Sequence, residues 1–361
     1  MVKLAFFDSE HVEREAPERP WRALVLSALA ATGVLTAGYE LFWRAKGLAA
    51  GDYNNTSALW AEARRSVKPQ STVIIGSSRI FFGADLGVWE TLTGKRPVQL
   101  ALEGTSPRIF LKNLAEDESF KGLVVVGVTT PLFFMTDGGL RAESLKYARD
   151  ETPAQRADHV MTKKLESVLA FIDEQSRPKR QVAIWPFPLR EGMTPRFDPR
   201  KLASLGPDRD ARLWNRVLTD ERYRKEAIDM WALGIRNNTP PRGLDGRPRQ
   251  MPDEAINAVI AEVKSNADKI RARGGDVAFV RMPYGGVYTS VEDFGFPRAR
   301  FWDRLVSETN SVGVSWQDHA ALQSYELPED SHLSASEATR FTRALVPILY
   351  SELEKRRAPG G

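Results

Sequence analysis

The chain has 361 residues, 27% of them charged and 42% hydrophobic, and a formal net charge of only +4. That is enough chain for one large α/β domain or two smaller ones, and basic residues scattered among acids argue against a nucleic-acid partner. With no cysteine present, disulfide frameworks and thiolate metal sites are excluded.

The first apolar feature is a stretch from Ala23 to Tyr39 without a charge, extended by Glu40 to Trp43. Its length approaches the roughly 20 residues of a membrane-spanning helix. Trp21 precedes it and Tyr39 and Trp43 follow, as interfacial aromatics do. The span is therefore placed at 23–43, after a tail at 1–22. A signal peptide or a long buried helix are the alternatives, and Leu48-Ala49-Ala50 is a poor match to a cleavage site. Lys3, Arg14, Arg19 and Arg22 on the amino side outweigh Arg44 and Lys46 beyond it. That bias puts the N-terminus in the cytoplasm and the body outside it. In a Gram-negative cell this means an inner-membrane protein facing the periplasm.

Residues 44–70 read as a linker with an amphipathic helix around Leu59, Trp60 and Ala63. Thr72 to Ile75 is a β-branched strand that breaks at Gly76-Ser77-Ser78-Arg79. Asp85 is placed to cap a helix through Thr93 that Gly94 closes. A second strand, Val98 to Leu102, ends at Glu103-Gly104. Ser106 is read as the cap of a helix whose first position is Pro107. The third strand, Leu123 to Val128, is apolar throughout, as expected for a strand covered on both faces. Strands alternating with helices over short connections predict a parallel, doubly wound sheet.

Residues 131–255 are too many for one crossover and are read as an insertion that can lie over the site. Helices are expected there at Lys163–Glu174 and Ala211–Leu233. The run Val182 to Trp185 is open to reading as a strand. A helix from Glu254 to Arg273 then returns the chain to the sheet, with strands at Asp276–Arg281 and Val312–Trp316. Ser334 and Glu337 fit a capping box for the last helix, whose inward stripe is Phe341, Leu345, Ile348 and Leu349.

Chemistry concentrates in two places. Ser78 follows the first strand, where open α/β sheets bind ligands. His332 stands just before the final helix, whose positive end favours a neutral imidazole. A hydroxyl nucleophile needs a base, a group that orients the base and donors for the oxyanion. Ser78 can be the nucleophile and His332 the base, with Glu329 or Asp330 orienting it. The amides of Ser78 and Gly104 can supply the donors. The blander readings are a tight turn at Gly76 and a surface histidine at 332. Phosphate-binding fingerprints are absent. His11, His159 and the Asp318-His319 pair have no second ligand nearby, so no metal site is expected.

The order of these features resembles that of SGNH/GDSL hydrolases. Gly76-Ser77-Ser78 resembles the family's first block, placing its nucleophile at Ser78. Gly104 resembles the glycine of the second block. Glu329-Asp330-Ser331-His332 resembles the Asp-x-x-His of the last block, placing the acid at Glu329. The resemblance covers about residues 71–128 and 276–350, within a domain at 71–356. It implies a three-layer α/β/α fold with a flavodoxin-like parallel sheet. In the third block, Gly127-Val128-Thr129-Thr130 replaces Gly-x-Asn-Asp, so Thr129 stands where an oxyanion-binding asparagine is expected. The layout is further similar to single-span, periplasm-facing proteins that work beside membrane-bound O-acyltransferases. It implies a serine acyltransferase or esterase acting on cell-surface polysaccharide, without a cofactor. A catalytically inactive scaffold that binds polysaccharide or such a partner is the other implied role. Arg79 and Arg281 are placed to line the crevice and hold an anionic polymer, or else to form internal salt bridges.

Overall fold

The computed structural model describes residues 19–135, 138–139, 141–184, 201–238 and 251–358. Lys3, His11, Arg14 and Trp185 of the sequence reading lie outside them.

A helix spans Trp21–Ala45, two residues longer at each end than the expected span, and it is long and apolar enough to cross a membrane. None of its residues is buried by protein. Its last turns are nevertheless fastened to the domain. Tyr39 donates its hydroxyl hydrogen to the Ser176 carbonyl at 2.9 Å, and the Glu40 carboxylate accepts from the amides of Ala170 and Phe171 at 2.9 and 3.0 Å.

The stretch 44–70 is not a free linker. Leu48, Leu59 and Trp60 are buried, because the apolar face of helix Ser57–Arg65 closes over the sheet and Trp60 donates its indole hydrogen to the Leu100 carbonyl at 3.0 Å. Burying an indole this completely contributes on the order of 3 kcal/mol.

Five parallel strands make the central sheet: β1 (Thr72–Ile75), β2 (Val98–Gln99), β3 (Leu123–Gly127), β6 (Asp276–Arg281) and β7 (Val312–Ser315), in the order β2-β1-β3-β6-β7. A separate antiparallel hairpin joins β4 (Ala203–Leu205) and β5 (Ala211–Leu213). Helices cover both faces of the large sheet, which is why its strands tolerate apolar residues at consecutive positions. Ile74, Val125, Val280 and Val314 meet Phe81, Trp89, Phe341 and Leu345 on one side. Val73, Ile75, Val126 and Phe279 meet Trp60, Phe110, Ile260 and Phe301 on the other. The chain lays β2 to one side of β1 and β3 to the other, so the loops after Ile75 and Gly127 part at this point and leave a crevice.

The outer edge of β2 is closed by Arg209, a fully buried residue of the hairpin turn. Its guanidinium donates to the carbonyls of Gln99 and Ala101 at 3.1 and 2.7 Å and to Asn55, and it stacks on Phe81. Burial pushes this arginine down to about 9, still charged at neutral pH.

Several local expectations change. Asp85 and Gly94 bound the helix Leu86–Thr93 as expected, the former accepting from the Val88 amide and the latter in the left-handed region. Ser334 accepts from the Glu337 amide, but the Glu337 carboxylate turns to Arg340 instead of closing the box. Ser106 caps nothing: its hydroxyl is buried, and Pro107 itself is the N-cap of helix Arg108–Glu116. The helix expected at 163–174 lies at Pro153–Glu166, started by a reciprocal Thr152/Gln155 capping box. Val182 belongs to a helix, Pro178–Ile184, whose first residue is a proline, and not to a strand. Ala211–Leu213 is a strand, and the helix expected from Ala211 divides into Asn215–Thr219 and Glu221–Asn238.

Candidate functional site

Three loops leave the carboxyl ends of β1, β3 and β6 close together. The strand β1 ends at Ile75, just before Gly76, and a helix begins two residues later with Ser78 (Ser78–Gly83). This abrupt change of direction depends on two glycines. A Cβ on Gly76 or on Gly127 would lie 2.3 Å from Ile80 Cγ2, so only glycine lets the helix sit this low over the sheet. Ser77 is the N-cap, and its hydroxyl reaches Thr129 Oγ1 at 2.6 Å instead of capping its own helix. Ser78 is half-buried at the first helical position. Beside it, the Leu102 amide donates to the Gly76 carbonyl at 3.0 Å. Glu103 and Gly104 therefore leave the sheet next to the Ser77–Ser78 corner.

The loop before the final helix supplies the imidazole. His332 is 2% exposed and Glu329 is fully buried, and Nδ1 of the histidine lies 2.7 Å from Glu329 Oε1. Buried carboxylate and ring nitrogen thus satisfy each other, and an N–H at Nδ1 leaves Nε2 with the lone pair. Nε2 is buried with no hydrogen-bond partner among the described residues. The ring packs 4.6 Å from Phe82, centroid to centroid. Phe82 stands four positions after Ser78, which puts both on one face of their helix. A second link runs through the neighbours of the pair: Arg79 Nε donates to Ser331 Oγ at 3.3 Å. The helix that opens with Ser78 thus touches the His332 loop through Phe82 and Arg79, and no hydrogen bond joins Ser78 to His332.

Of the two candidate acids, Glu329 holds the histidine. Asp330 is corrected to a backbone role: it adopts a left-handed conformation, and its carboxylate accepts from the Val287 amide at 3.2 Å. The Thr129 hydroxyl, the expected substitute for the asparagine, lies 2.6 Å from the Ser77 hydroxyl, and either oxygen can be the donor.

Arg79 and Arg281 do not form an open clamp. They are 3% and 2% exposed, and both reach the buried carboxylate of Glu292, at 2.5 Å from Arg79 and 3.4 Å from Arg281. Arg79 is also stacked between Tyr284 and Tyr288, 5.2 and 4.9 Å from the ring centroids. Burial, reinforced by nearby carboxylates, pushes both phenols upward, so they stay neutral. The reason these arginines turn inward is electrostatic. A guanidinium buried this deeply persists only beside a counter-charge, and Glu292 is the shared one.

Sequence reasoning missed two contributors. Trp231, from helix Glu221–Asn238 of the insertion, donates its indole hydrogen to Glu329 Oε2 and lies edge-on to His332 at 6.1 Å. Glu292 is separated from Arg79 by 213 positions, and no local pattern announces such a pair. Chemically, the region offers an imidazole held by a carboxylate, a half-buried hydroxyl and a tryptophan hydrogen-bonded to that carboxylate. Among the described residues, no cluster of acids and histidines could hold a metal ion. No protein-family model matches the chain, and no curated protein matches it.

Proposed function

We propose that this chain is a membrane-anchored serine esterase or O-acyltransferase of SGNH type that acts on cell-surface polysaccharide. The observation that carries the reading is the buried His332, tied to Glu329 through one nitrogen and unpartnered at the other, beside the helix that opens with Ser78. In this chemistry His332 Nε2 takes the Ser78 proton as Oγ attacks the carbonyl carbon of an acyl ester. The tetrahedral intermediate draws on the amides of Ser78 and Gly104. It collapses as the leaving alkoxide takes the proton back from His332, leaving an acyl-Ser78. A sugar hydroxyl or water, deprotonated by the same imidazole, then releases the acyl group. No cofactor enters these steps. The strand order supports the reading, because without the hairpin it is the 2-1-3-4-5 order of flavodoxin-like sheets. The helix Trp21–Ala45 and the excess of basic residues before it support a cytoplasmic N-terminus and a periplasmic body at the inner membrane. A membrane-bound O-acyltransferase is the partner of that arrangement.

The test is labelling of the purified full chain in detergent with a fluorophosphonate probe. The wild type should be labelled, and Ser78→Ala and His332→Ala should not. A wild type that stays unlabelled would sink the enzymatic reading. A second reading, an inactive scaffold binding polysaccharide, is favoured by one observation: Ser78 and His332 are not hydrogen-bonded. Against it, nucleophile and base are often loosely aligned without substrate. Polysaccharide retention by an unlabelled wild type, unchanged in Ser78→Ala, would establish the scaffold.

A further inference from the structure

The helix Pro153–Glu166 carries an apolar stripe on its wrong side. It buries His159 and Glu166 against the domain, with His159 bonded to Glu62 at 2.7 Å and Glu166 to Asn54 at 2.6 Å. The opposite face is formed by residues 154, 157, 161 and 165, a spacing of three and four that keeps one side of a helix, and residue 168 follows in the turn just beyond its end. Those positions are Ala154, Ala157, Met161, Leu165 and Val168, all exposed. Met161 is 66%, Val168 61% and Leu165 46% exposed. Nothing among the described residues covers them, and side chains this large are expected to be covered by something.

The place of the stripe says what covers it. Val168, at its end, accepts a hydrogen bond through its carbonyl from Arg44 at 3.4 Å, and Phe171 packs on Tyr39. Tyr39 and Arg44 stand in the last turns of the helix Trp21–Ala45. That helix has 25 residues, about 37 Å at 1.5 Å per residue, which exceeds a hydrocarbon core of roughly 30 Å. Its final turns therefore belong at the depth of lipid headgroups, and they hold the end of the stripe at the same depth. Exposed Lys164 borders the stripe on one side and exposed Asp158 on the other, so attraction to lipid comes from the apolar side chains and not from charge.

We infer that the helix Pro153–Glu166 is a second membrane contact, lying in the headgroup region of the bilayer with Met161, Leu165 and Val168 in lipid. The inference rests on the anchored reading of Trp21–Ala45, and the two can fail separately. The absence of native cysteine allows single-cysteine labelling of the full chain. Met161→Cys, Leu165→Cys, Leu35→Cys in the span and Leu92→Cys on the domain are each labelled with an environment-sensitive fluorophore. All four sites are exposed. The labelled chains are reconstituted into vesicles of phosphatidylcholine and phosphatidylglycerol with nitroxide lipids as quenchers. Expected is a loss of emission at positions 161 and 165 with shallow nitroxides, at 35 with deep ones, and none at 92. Quenching at 35 with 161 and 165 as unaffected as 92 would overturn the inference and leave the anchor standing. The stripe would then belong to a protein partner. No quenching at 35 would overturn the anchor, and this inference with it.

Discussion

Trp231 and Glu329 are hydrogen-bonded across 98 positions of sequence, and the second oxygen of that carboxylate holds His332. The insertion therefore helps to fix the base. On the proposed chemistry, Glu329→Gln removes the charge that steadies the imidazolium and offers the wrong hydrogen-bonding group to Nδ1. The expected result is a fall in kcat of about ten-thousandfold. Trp231→Phe keeps the apolar edge and loses one donor to a charged acceptor, an interaction of roughly 1.5–3 kcal/mol. A decrease of about tenfold in kcat is expected, with slower fluorophosphonate labelling of Ser78. Steady-state hydrolysis of a p-nitrophenyl ester measures both.

Glu292 is the shared counter-charge of Arg79 and Arg281. Glu292→Gln leaves two guanidiniums buried without it, and loss of one partner of a buried pair typically costs about 3–5 kcal/mol. The urea midpoint should fall accordingly. A midpoint equal to that of the wild type would mean that both arginines reach water.

Gly127→Ala introduces a methyl group 2.3 Å from Ile80 Cγ2. Overpacking of this kind costs about 1–3 kcal/mol. Ile80→Ala removes that atom but keeps Cβ, 2.5 Å from the new methyl group, so it relieves part of the collision, and the double variant should be less destabilised than the sum of the single ones. Additive losses in a denaturation series would show that the two positions do not touch.

Asp85 supplies the acid-sensitive link between helix Leu86–Thr93 and the final helix. Burial pushes its carboxyl up, but hydrogen bonds from Thr339 and the Val88 amide, with Arg212 alongside, hold it below the ordinary value of 3.8. A lowered folded-state value means that the ionised form stabilises the fold. That contribution is fully present above 3.8 and is lost as the pH falls through the lowered folded-state value. Asp85→Asn should therefore be less stable than the wild type at neutral pH, and the difference should shrink below pH about 4. Melting temperatures across an acid series test this, and a constant difference would contradict it.

The sheet was legible because its signals are local. Thr72–Ile75, Leu123–Gly127 and Asp276–Arg281 are short apolar runs between turn residues, and each is a strand in the structure. Asp85 and Gly94 likewise announce a helix within ten residues. The insertion was less legible, because its elements are set by distant partners: Ala211–Leu213 is a strand only by pairing with Ala203–Leu205. In the site, Glu329 and His332 are three residues apart and could be read as a pair. The burial of Arg79 and Arg281 could not, since it depends on Glu292, and the same holds for Trp231. Asp330 misled for a related reason. Nothing in its composition tells an acid that faces a histidine from one that ties down the backbone of Val287.

Arg209 has a consequence for how this molecule can associate. The carbonyls of Gln99 and Ala101 that a foreign strand would need are already taken by its guanidinium. A neighbouring copy could add to that border of the sheet only by expelling a cation from the interior and leaving Phe81 uncovered. Copies of the chain are thus kept from zipping together along β2, and self-association at that border would require the hairpin to open first.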